Sequence, residues 1–277
     1  MSGLLQLLGL FAAALLAGAL NSVAGGGSLI SFPALVAFGT PAILANATNT
    51  AAMWPGAVGS AWAYRRDARA YAGLTAFLLL PSLIGGLMGA LVLVNTPPDL
   101  FNRVVPFLVL LATLLFALRG FFQRLARGGI AEGHVSITGY AWGFVFQLFV
   151  ATYGGYFGAG IGFLMLGSLG IMGLGDIHGM NGVKTVLGAV INVIAFIYFA
   201  ARGFVEWPLA LLMATGAVVG GYGGARLARR VNRRLLNIFI VVVGLGVTAW
   251  LSSYRSRSLS AKFLSVRRHP PAGVENP

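Results

Sequence analysis

Two short polar clusters, set in apolar sequence, carry the side chains that could bind a small ion. Their members share the spacing i, i+3, i+4: Asn46, Asn49 and Thr50 in the first cluster, and Asn181, Lys184 and Thr185 in the second. Residues at this spacing lie on one face of a helix. Amide, hydroxyl and ammonium groups donate hydrogen bonds, and an ammonium adds positive charge. The two faces together predict a polar site for a small anion.

Lys184 is the residue that points most strongly to function, because it lies within an apolar segment. An ionisable group inside a membrane span costs about 2.5–3.5 kcal/mol on insertion scales, so such residues usually have a functional role. The alternative is structural: near the start of its segment, the side chain could reach the interface and pair with Asp176. For the asparagines and threonines, the alternative is hydrogen bonding between helices.

Glycine-rich breaks precede both clusters. The first is the run Gly25, Gly26 and Gly27, and the second contains Gly160 and Gly162. A broken helix exposes backbone N–H groups and the positive end of a helix dipole, which together favour an anion. We predict that these glycines help to bind the substrate; simple turns or close helix packing are the alternative.

Asp176 and His178 lie at the turn after the short apolar segment of the second half. Histidine titrates near neutral pH, so this pair is the candidate for a coupled proton. The alternative is that the two residues only mark a helix terminus.

The composition predicts an all-α, polytopic helical membrane protein. The chain of 277 residues is 58% hydrophobic and 9% charged, against roughly 25% charged in soluble domains. Its apolar runs of about 15–25 residues suit ~30 Å of hydrocarbon. The net charge of +13 comes largely from arginines in short loops, where they orient helices. We therefore expect a multi-pass membrane protein, with the lipid bilayer and not nucleic acid as its partner; the family resemblance described below implies that this membrane is the inner (plasma) membrane.

The chain contains two related halves. At an offset of 135 positions, identical residues recur in one register, among them Ala24 with Ala159 and Gly85 with Gly220. We divide the chain into an N-terminal transmembrane repeat (1–120), a polar linker (121–136), a C-terminal transmembrane repeat (137–252) and a basic tail (253–277).

Each repeat has about five segments, an odd number, so the two repeats should have opposite orientations in the membrane. Loop charges agree with inverted repeats. The loop at 65–69 is +2 and its counterpart at 202–206 is neutral, whereas the loop at 95–103 is neutral and its counterpart at 226–234 is +5. The tail, at +4, is the exception.

Within each repeat, the second segment is too short to span a membrane unaided. These segments are 29–38, in which Pro33 is predicted to break the helix, and 163–172. Short pieces of this kind are typical of the broken or re-entrant helices that line transport sites.

Enzyme signatures are absent from the sequence. It has no cysteine, no HExxH, no GxSxG, no Walker loop and no paired carboxylates in its spans, and only six acidic residues. We therefore expect a protein that is not an enzyme and that has neither a metal site nor a cofactor. Small-residue faces such as Gly85, Gly86 and Gly89 suit close helix packing and permit a homodimer.

The stretch NSVAGGGSLISFPAL, followed by ANATNT, resembles the TauE/SafE family of bacterial sulfite exporters. That family is marked by a Gly-Gly-Gly stretch, a Pro-x-Leu and an Ala-x-Ala-Thr, here Gly25-Gly26-Gly27, Pro33-Ala34-Leu35 and Ala45-Asn46-Ala47-Thr48. The second half matches more loosely, with Gly158-Ala159-Gly160-Ile161-Gly162 in place of the run and no proline at the expected position. The resemblance covers roughly Leu4 to Leu251.

The resemblance implies a plasma-membrane permease for sulfite or a related small sulfonate, without fixing which. Together with the residues, it leads to the hypothesis of a secondary transporter that exports such an anion by alternating access. Asp176 and His178 are the candidates for proton coupling in this hypothesis. Uptake of a sulfur-containing anion, a non-transporting accessory subunit and an intramembrane enzyme remain as alternatives.

Overall fold

All regular secondary structure in the part of the chain that the structure describes is helical. The computed structural model describes residues 3–23, 26–118, 120–122, 124, 137–172, 174, 176–227, 238 and 240–253. Its helices, in chain order, are α1 Gly3–Val23, α2 Ser28–Ala37, α3 Ala42–Ala63, α4 Arg65–Arg69, α5 Ala72–Asn95, α6 Pro98–Ala117, α7 Ile137–Tyr156, α8 Ile161–Ile171, α9 Ile177–Ala201, α10 Trp207–Leu227 and α11 Ile240–Ser253. The all-α prediction is confirmed. Gly25, most of the linker, most of the loop at 226–234 and the tail beyond 253 lie outside the described residues.

Four of the described helices are long and apolar enough to cross a membrane. These spans are Gly3–Asn21, Ala72–Asn95, Pro98–Ala117 and His178–Ala201. Shorter apolar helices accompany them: Ser28–Ala37, Ile161–Ile171, Trp207–Tyr222 and Ile240–Ser253. Large apolar side chains, such as Phe107 and Phe149, face outward, as on a surface that contacts lipid. The protein is therefore a multi-pass membrane protein.

Three local features differ from the sequence prediction. Pro33 lies inside α2, so the prediction that it breaks this helix was wrong. A proline removes one backbone N–H, and buried membrane helices tolerate this loss. α6 begins at Pro98, inside the segment 95–103 that was predicted to be a loop, because proline fits the first helical turn. The basic loop at 65–69 forms the short helix α4.

The most extensive helix packing joins the two halves of the chain. α1 packs along α10, and α5 packs along α7. At the offset of 135 positions, α1 corresponds to α7 and α10 corresponds to α5, so the two pairs are counterparts of each other. This reciprocal packing supports the duplication. The inverted orientation of the repeats stays a prediction.

Glycines allow the helices of each pair to pack with their backbones in contact. A Cβ atom at Gly85 would lie 2.6 Å from the carbonyl oxygen of Leu148, and one at Gly89 would collide with the carbonyl oxygen of Thr152. In the other pair, a Cβ at Gly220 would collide with the backbone of α1. The predicted packing role of this glycine face is confirmed, and the contacts are made within the chain.

The two helices that carry the polar clusters, α3 and α9, also pack against each other. The short helices α2 and α8 pack beside them, α2 against α3 and α8 against α9. The basic helix α4 lies on the first turns of α9, where a Cβ at Gly182 would be 2.5 Å from the backbone nitrogen of Ala68. This arrangement places a short helix beside each of the two helices that carry the clusters.

Candidate functional site

The first break, between α1 and α2, is formed by glycines for two separate physical reasons. Gly26 has φ +87°, a left-handed conformation that side chains other than glycine rarely adopt. A Cβ at Gly27 would collide with the backbone carbonyl of Ala17 in α1. The N–H of Gly27 donates a 2.7 Å hydrogen bond to Oδ1 of Asn21, so this backbone donor already has a partner.

The second break, between α7 and α8, uses the same conformational freedom. Gly158 and Gly160 have φ +80° and +84°, and Gly160 immediately precedes α8. The hydroxyl of Tyr153 donates a 2.8 Å hydrogen bond to the carbonyl of Ala159 inside the break. The N–H of Phe163 donates a 3.1 Å hydrogen bond to the carbonyl of Gly160, and the start of α8 carries the positive end of a helix dipole, which favours an anion.

α6 lies between the two breaks and holds them near each other. Its Leu115 packs against Gly160, where a Cβ would be 3.2 Å away, and its Phe116 packs against Gly26, where a Cβ would be 2.9 Å away. Phe116 also makes an edge contact with Phe163 of α8, with ring centroids 5.8 Å apart. The two glycine breaks therefore meet around one pair of side chains.

Asn46 connects the first polar cluster to the second break. Its amide nitrogen donates a 2.8 Å hydrogen bond to the carbonyl of Tyr156, at the end of α7, and the side chain is 2% exposed. The last carbonyls of a helix lack partners within the helix, so Asn46 satisfies one of them. Thr50 donates its hydroxyl hydrogen to the carbonyl of Asn46 in its own helix.

Asn49 faces α2, the short helix that follows the first break. Its Oδ1 lies 2.5 Å from the hydroxyl of Ser31, and both side chains are buried. Ser31 did not appear among the sequence candidates. A serine within the apolar segment, four residues after Gly27, was the available signal, but serine in an apolar helix most often bonds its own backbone.

Thr48, on the same helix, anchors a loop of the other half. Its hydroxyl oxygen accepts a 3.0 Å hydrogen bond from the N–H of Glu206, and the side chain is fully buried. Thr48 lies beside the predicted cluster, and its role in the structure is a contact between the halves.

Lys184 bonds an amide of its own cluster. Its Nζ donates a 2.7 Å hydrogen bond to Oδ1 of Asn181, and the lysine side chain is partly buried. The stem of Lys184 lies against the second break, where a Cβ at Gly162 would be 3.3 Å from Cδ. Thr185 donates its hydroxyl hydrogen to the carbonyl of Gly182.

The positive charge of Lys184 has no carboxylate beside it among the described residues. The alternative pairing with Asp176 is not formed, because the Asp176 carboxylate accepts hydrogen bonds from the N–H groups of His178 at 3.0 Å and Gly179 at 2.9 Å. Asp176 is thus the N-cap of α9. Asp176 and His178 are both exposed at this helix start.

A cavity beside the short helix that follows the first break is apolar. It has a volume of 510 Å³, opens between α2 and α11, and is lined by Leu29, Ile30, Pro33, Ala34, Ala37, Val243, Gly246, Val247 and Trp250. None of these side chains carries a charge, so the groove is unsuited to an anion. Among the described residues, no three His, Asp or Glu side chains gather closely enough to hold a metal ion.

The helices and broken segments define a class, a polytopic membrane protein with a polar site at two glycine breaks. Residues 10–251 match the family described as sulfite exporter TauE/SafE, and the chain belongs to this family. The family resemblance seen in the sequence is therefore confirmed.

Relatives of similar length carry transporter names. The chain is 29% identical over 239 residues to a probable membrane transporter protein ORF9 of Sinorhizobium sp, covering 86% of this chain and 89% of the relative. It is 26% identical over 241 residues to a probable membrane transporter protein of Haemophilus influenzae, covering 87% and 92%. It is 28% identical over 243 residues to the probable membrane transporter protein YfcA of Escherichia coli K12, covering 87% and 88%. No solved structure matches the chain. Family and relatives indicate a membrane transporter and not an enzyme.

Proposed function

We propose that this protein is a secondary transporter that exports sulfite or a related small sulfonate across the inner (plasma) membrane. The observation that carries the proposal is Lys184, a cation inside an apolar helix whose hydrogen-bond partner is the neutral amide of Asn181. A buried charge is normally compensated by an opposite charge. A bound anion would supply that compensation.

The donors around Lys184 suit an oxyanion. An ammonium has three N–H donors, and one of them is used by Asn181, so two can reach a ligand. The start of α8, which lies against the lysine stem at Gly162, adds backbone N–H groups and the positive end of a helix dipole. Sulfite and sulfonates carry three acceptor oxygens and negative charge, which matches this set.

Alternating access would expose this site to the two sides of the membrane in turn. The glycine contacts between α1 and α10, and between α5 and α7, each join helices of different repeats. Movement of one whole repeat against the other would break both sets of contacts. We therefore propose that α1 and α10 move together as one unit, and that α5 and α7 move together as another. α3 and α9, which carry the polar clusters, lie between these two units.

Proton coupling is the part of the proposal that rests on Asp176 and His178. The two residues are exposed at the start of α9, eight and six positions before Lys184. Asp176→Asn separates coupling from capping, because asparagine also caps helices but carries no proton. If the pair couples protons, this variant transports without responding to a pH gradient. An unchanged response would assign Asp176 to capping alone.

The experiment that tests the function is anion flux from liposomes that contain the purified protein. Sulfite, sulfoacetate and sulfate are compared, with and without a pH gradient. We expect saturable flux of sulfite or sulfoacetate, reduced in Lys184→Met to the level of protein-free liposomes. Arg103→Ala is the matched control, since it removes an exposed positive charge outside the site. Absence of flux for all three anions would reject the transporter and favour an accessory subunit.

Direction is measured in the same system with protein of known orientation. A single cysteine in an exposed loop reports that orientation, because the sequence has no native cysteine. Faster flux from the side of the basic loop at 65–69 would support export, since positive loops face the cytoplasm. Faster flux in the other direction would support uptake.

A further inference from the structure

Ser31 and Asn49 form a buried pair between α2 and α3, directly after the first glycine break. Ser31 is 0% exposed and Asn49 is 4% exposed. The serine hydroxyl has two acceptors within reach, Oδ1 of Asn49 at 2.5 Å and the carbonyl of Gly27 at 3.2 Å. A hydroxyl has one hydrogen, so it donates fully to only one of them.

The hydroxyl hydrogen of Ser31 is donated to Oδ1 of Asn49. The carbonyl of Gly27 already accepts two backbone hydrogen bonds, from the N–H of Ile30 at 2.9 Å and of Ser31 at 3.1 Å. A carbonyl oxygen has two lone pairs, and both are thus in use. Oδ1 of Asn49 is nearer, and Ser31 is its donor. This bond also fixes which way the amide of Asn49 is turned.

The other end of that amide has no partner among the described residues. With Oδ1 held toward Ser31, the two N–H donors of Asn49 point away from α2, and they make no hydrogen bond to any described residue. Nearly all buried polar groups in proteins have a partner, and one without a partner calls for an explanation. A ligand that offers an acceptor oxygen would supply one.

The residue that corresponds to Asn49 in the second repeat also carries hydrogen-bond donors. This counterpart is Lys184, because 49 and the offset of 135 give 184. Both residues follow a glycine break and lie on the polar face of their helix. The two halves thus offer donors at matched positions.

We propose that Ser31 is a positioning residue that orients the amide of Asn49, so that its two N–H groups are presented to an oxygen of the transported oxyanion. The inference rests on the proposed function and adds a recognition element to that site. Without the hydroxyl, the amide can turn over, since its oxygen and nitrogen ends have nearly the same shape. The oxygen would then face the anion, and binding would weaken while the fold is kept.

The test compares Ser31→Thr with Ser31→Val in the liposome assay. These two side chains have the same shape and differ in the hydroxyl, so crowding in the buried position affects both equally. We expect Ser31→Val to raise the KM for sulfite about tenfold over Ser31→Thr, with similar kcat, as the loss of a hydrogen bond to a charged group predicts. Equal KM values in the two variants would overturn the inference.

A second arm leaves Ser31 in place and changes only the donors. Asn49→Asp keeps the oxygen that accepts from Ser31 and replaces the N–H groups by a second oxygen. Sulfite flux should be lost, and flux with the wild-type KM would overturn the inference. In the Asn49→Ala background, Ser31→Val should add less than about twofold to KM, because a residue that acts through Asn49 has nothing left to orient.

Two controls distinguish a loss of anion recognition from a general effect of removing a buried hydroxyl and from a loss of folding. Thr113→Val removes an equally buried hydroxyl that donates only to Val109 of its own helix, and it should leave KM unchanged. Gel filtration and thermal unfolding in detergent show whether each variant is folded. No sulfur-anion flux in the wild type would overturn the proposed function and this inference together. Wild-type flux that is indifferent to Ser31 and Asn49 would overturn this inference alone.

Discussion

The amide of Asn46 in α3 donates a hydrogen bond to the carbonyl of Tyr156, 2.8 Å away and 110 residues further along the chain. Tyr156 is the last residue of α7, just before the second glycine break. The bond joins the polar cluster of one half to the break of the other. It therefore makes Asn46 a structural contact as well as a candidate ligand.

Asn46→Ala should destabilise the protein and weaken transport together. Removing the amide leaves the carbonyl of Tyr156 without its side-chain donor in a buried place, which costs about 1–3 kcal/mol. Thermal unfolding in detergent measures the first effect, and liposome flux measures the second.

The matched control for this change is Asn192→Ala. The amide of Asn192 donates to the carbonyl of Gly188, four residues earlier in its own helix. That carbonyl keeps its backbone hydrogen bond when the side chain is removed, so the cost should stay below about 1 kcal/mol. Equal losses in the two variants would contradict a special role for the bond between Asn46 and Tyr156.

Gly89→Ala should separate α5 from α7. The added Cβ would collide with the backbone carbonyl of Thr152, which cannot move aside as a flexible side chain can. We expect a loss of about 1–3 kcal/mol, the usual cost of overpacking. Gly188→Ala is the control, because a Cβ there meets nothing within 4 Å and alanine favours a helix by up to about 1 kcal/mol. A destabilised control would point to glycine flexibility instead of packing.

The sequence was sufficient to predict that Gly85, Gly86 and Gly89 permit close helix packing, because this role follows from their spacing on one helix face. It was also sufficient for the helical membrane class and for both short helices, since apolar length and glycine breaks are local signals. The partners of the polar residues were not predictable. Asn46 meets Tyr156 and Asn49 meets Ser31 only because α3 packs beside elements that are distant in sequence.

Thr50 and Thr185 show a second limit of sequence patterns. The spacing i, i+3, i+4 places both on the polar faces, yet each donates its hydroxyl hydrogen to a carbonyl of its own helix. A helix always offers such acceptors to threonine, so the pattern does not tell a ligand from a self-satisfied side chain. Their assignment to the substrate stays a prediction.

Gly162→Ala should weaken substrate binding without loss of stability. The new Cβ would be 3.3 Å from Cδ of Lys184, so the lysine stem has to shift by a few tenths of an ångström. The position lies in the first turn of α8, where alanine favours the helix. We expect a higher KM for sulfite and an unchanged or raised Tm. Gly59→Ala, in open space on α3, should change neither quantity, and a KM that rises equally in both would contradict the contact.

Gly182→Ala should loosen helix α4 from α9. The Cβ would lie 2.5 Å from the backbone nitrogen of Ala68, which is 7% exposed in the docked helix. In a chain without native cysteine, Ala68→Cys gives one thiol for maleimide labelling. We expect several-fold faster labelling when Gly182→Ala is added. Adding Gly188→Ala instead should leave the rate unchanged, and equal rates in all three proteins would show that α4 is not held by this contact.

Tyr71, at the start of α5, should make the protein sensitive to alkaline pH. Burial, and then the negative charge of Asp176, raise the pKa of Tyr71 above its ordinary value of 10.0. Because the folded pKa is the higher one, the unfolded chain ionises first as pH rises. The contribution of Tyr71 to stability is therefore complete below pH 10 and is lost as pH rises through the folded pKa.

Tyr71→Phe tests this, because phenylalanine keeps the ring against Gly179 and removes the ionisable hydroxyl. The absorbance of tyrosinate, taken as the difference between wild type and variant, gives the pKa of Tyr71. Asp176→Asn should lower that pKa while leaving it above the ordinary value, since burial is the larger cause. The unfolding temperature of Tyr71→Phe should fall less steeply above pH 10 than that of the wild type. Parallel curves would mean that the Tyr71 hydroxyl is as free to ionise in the folded protein as in the unfolded chain.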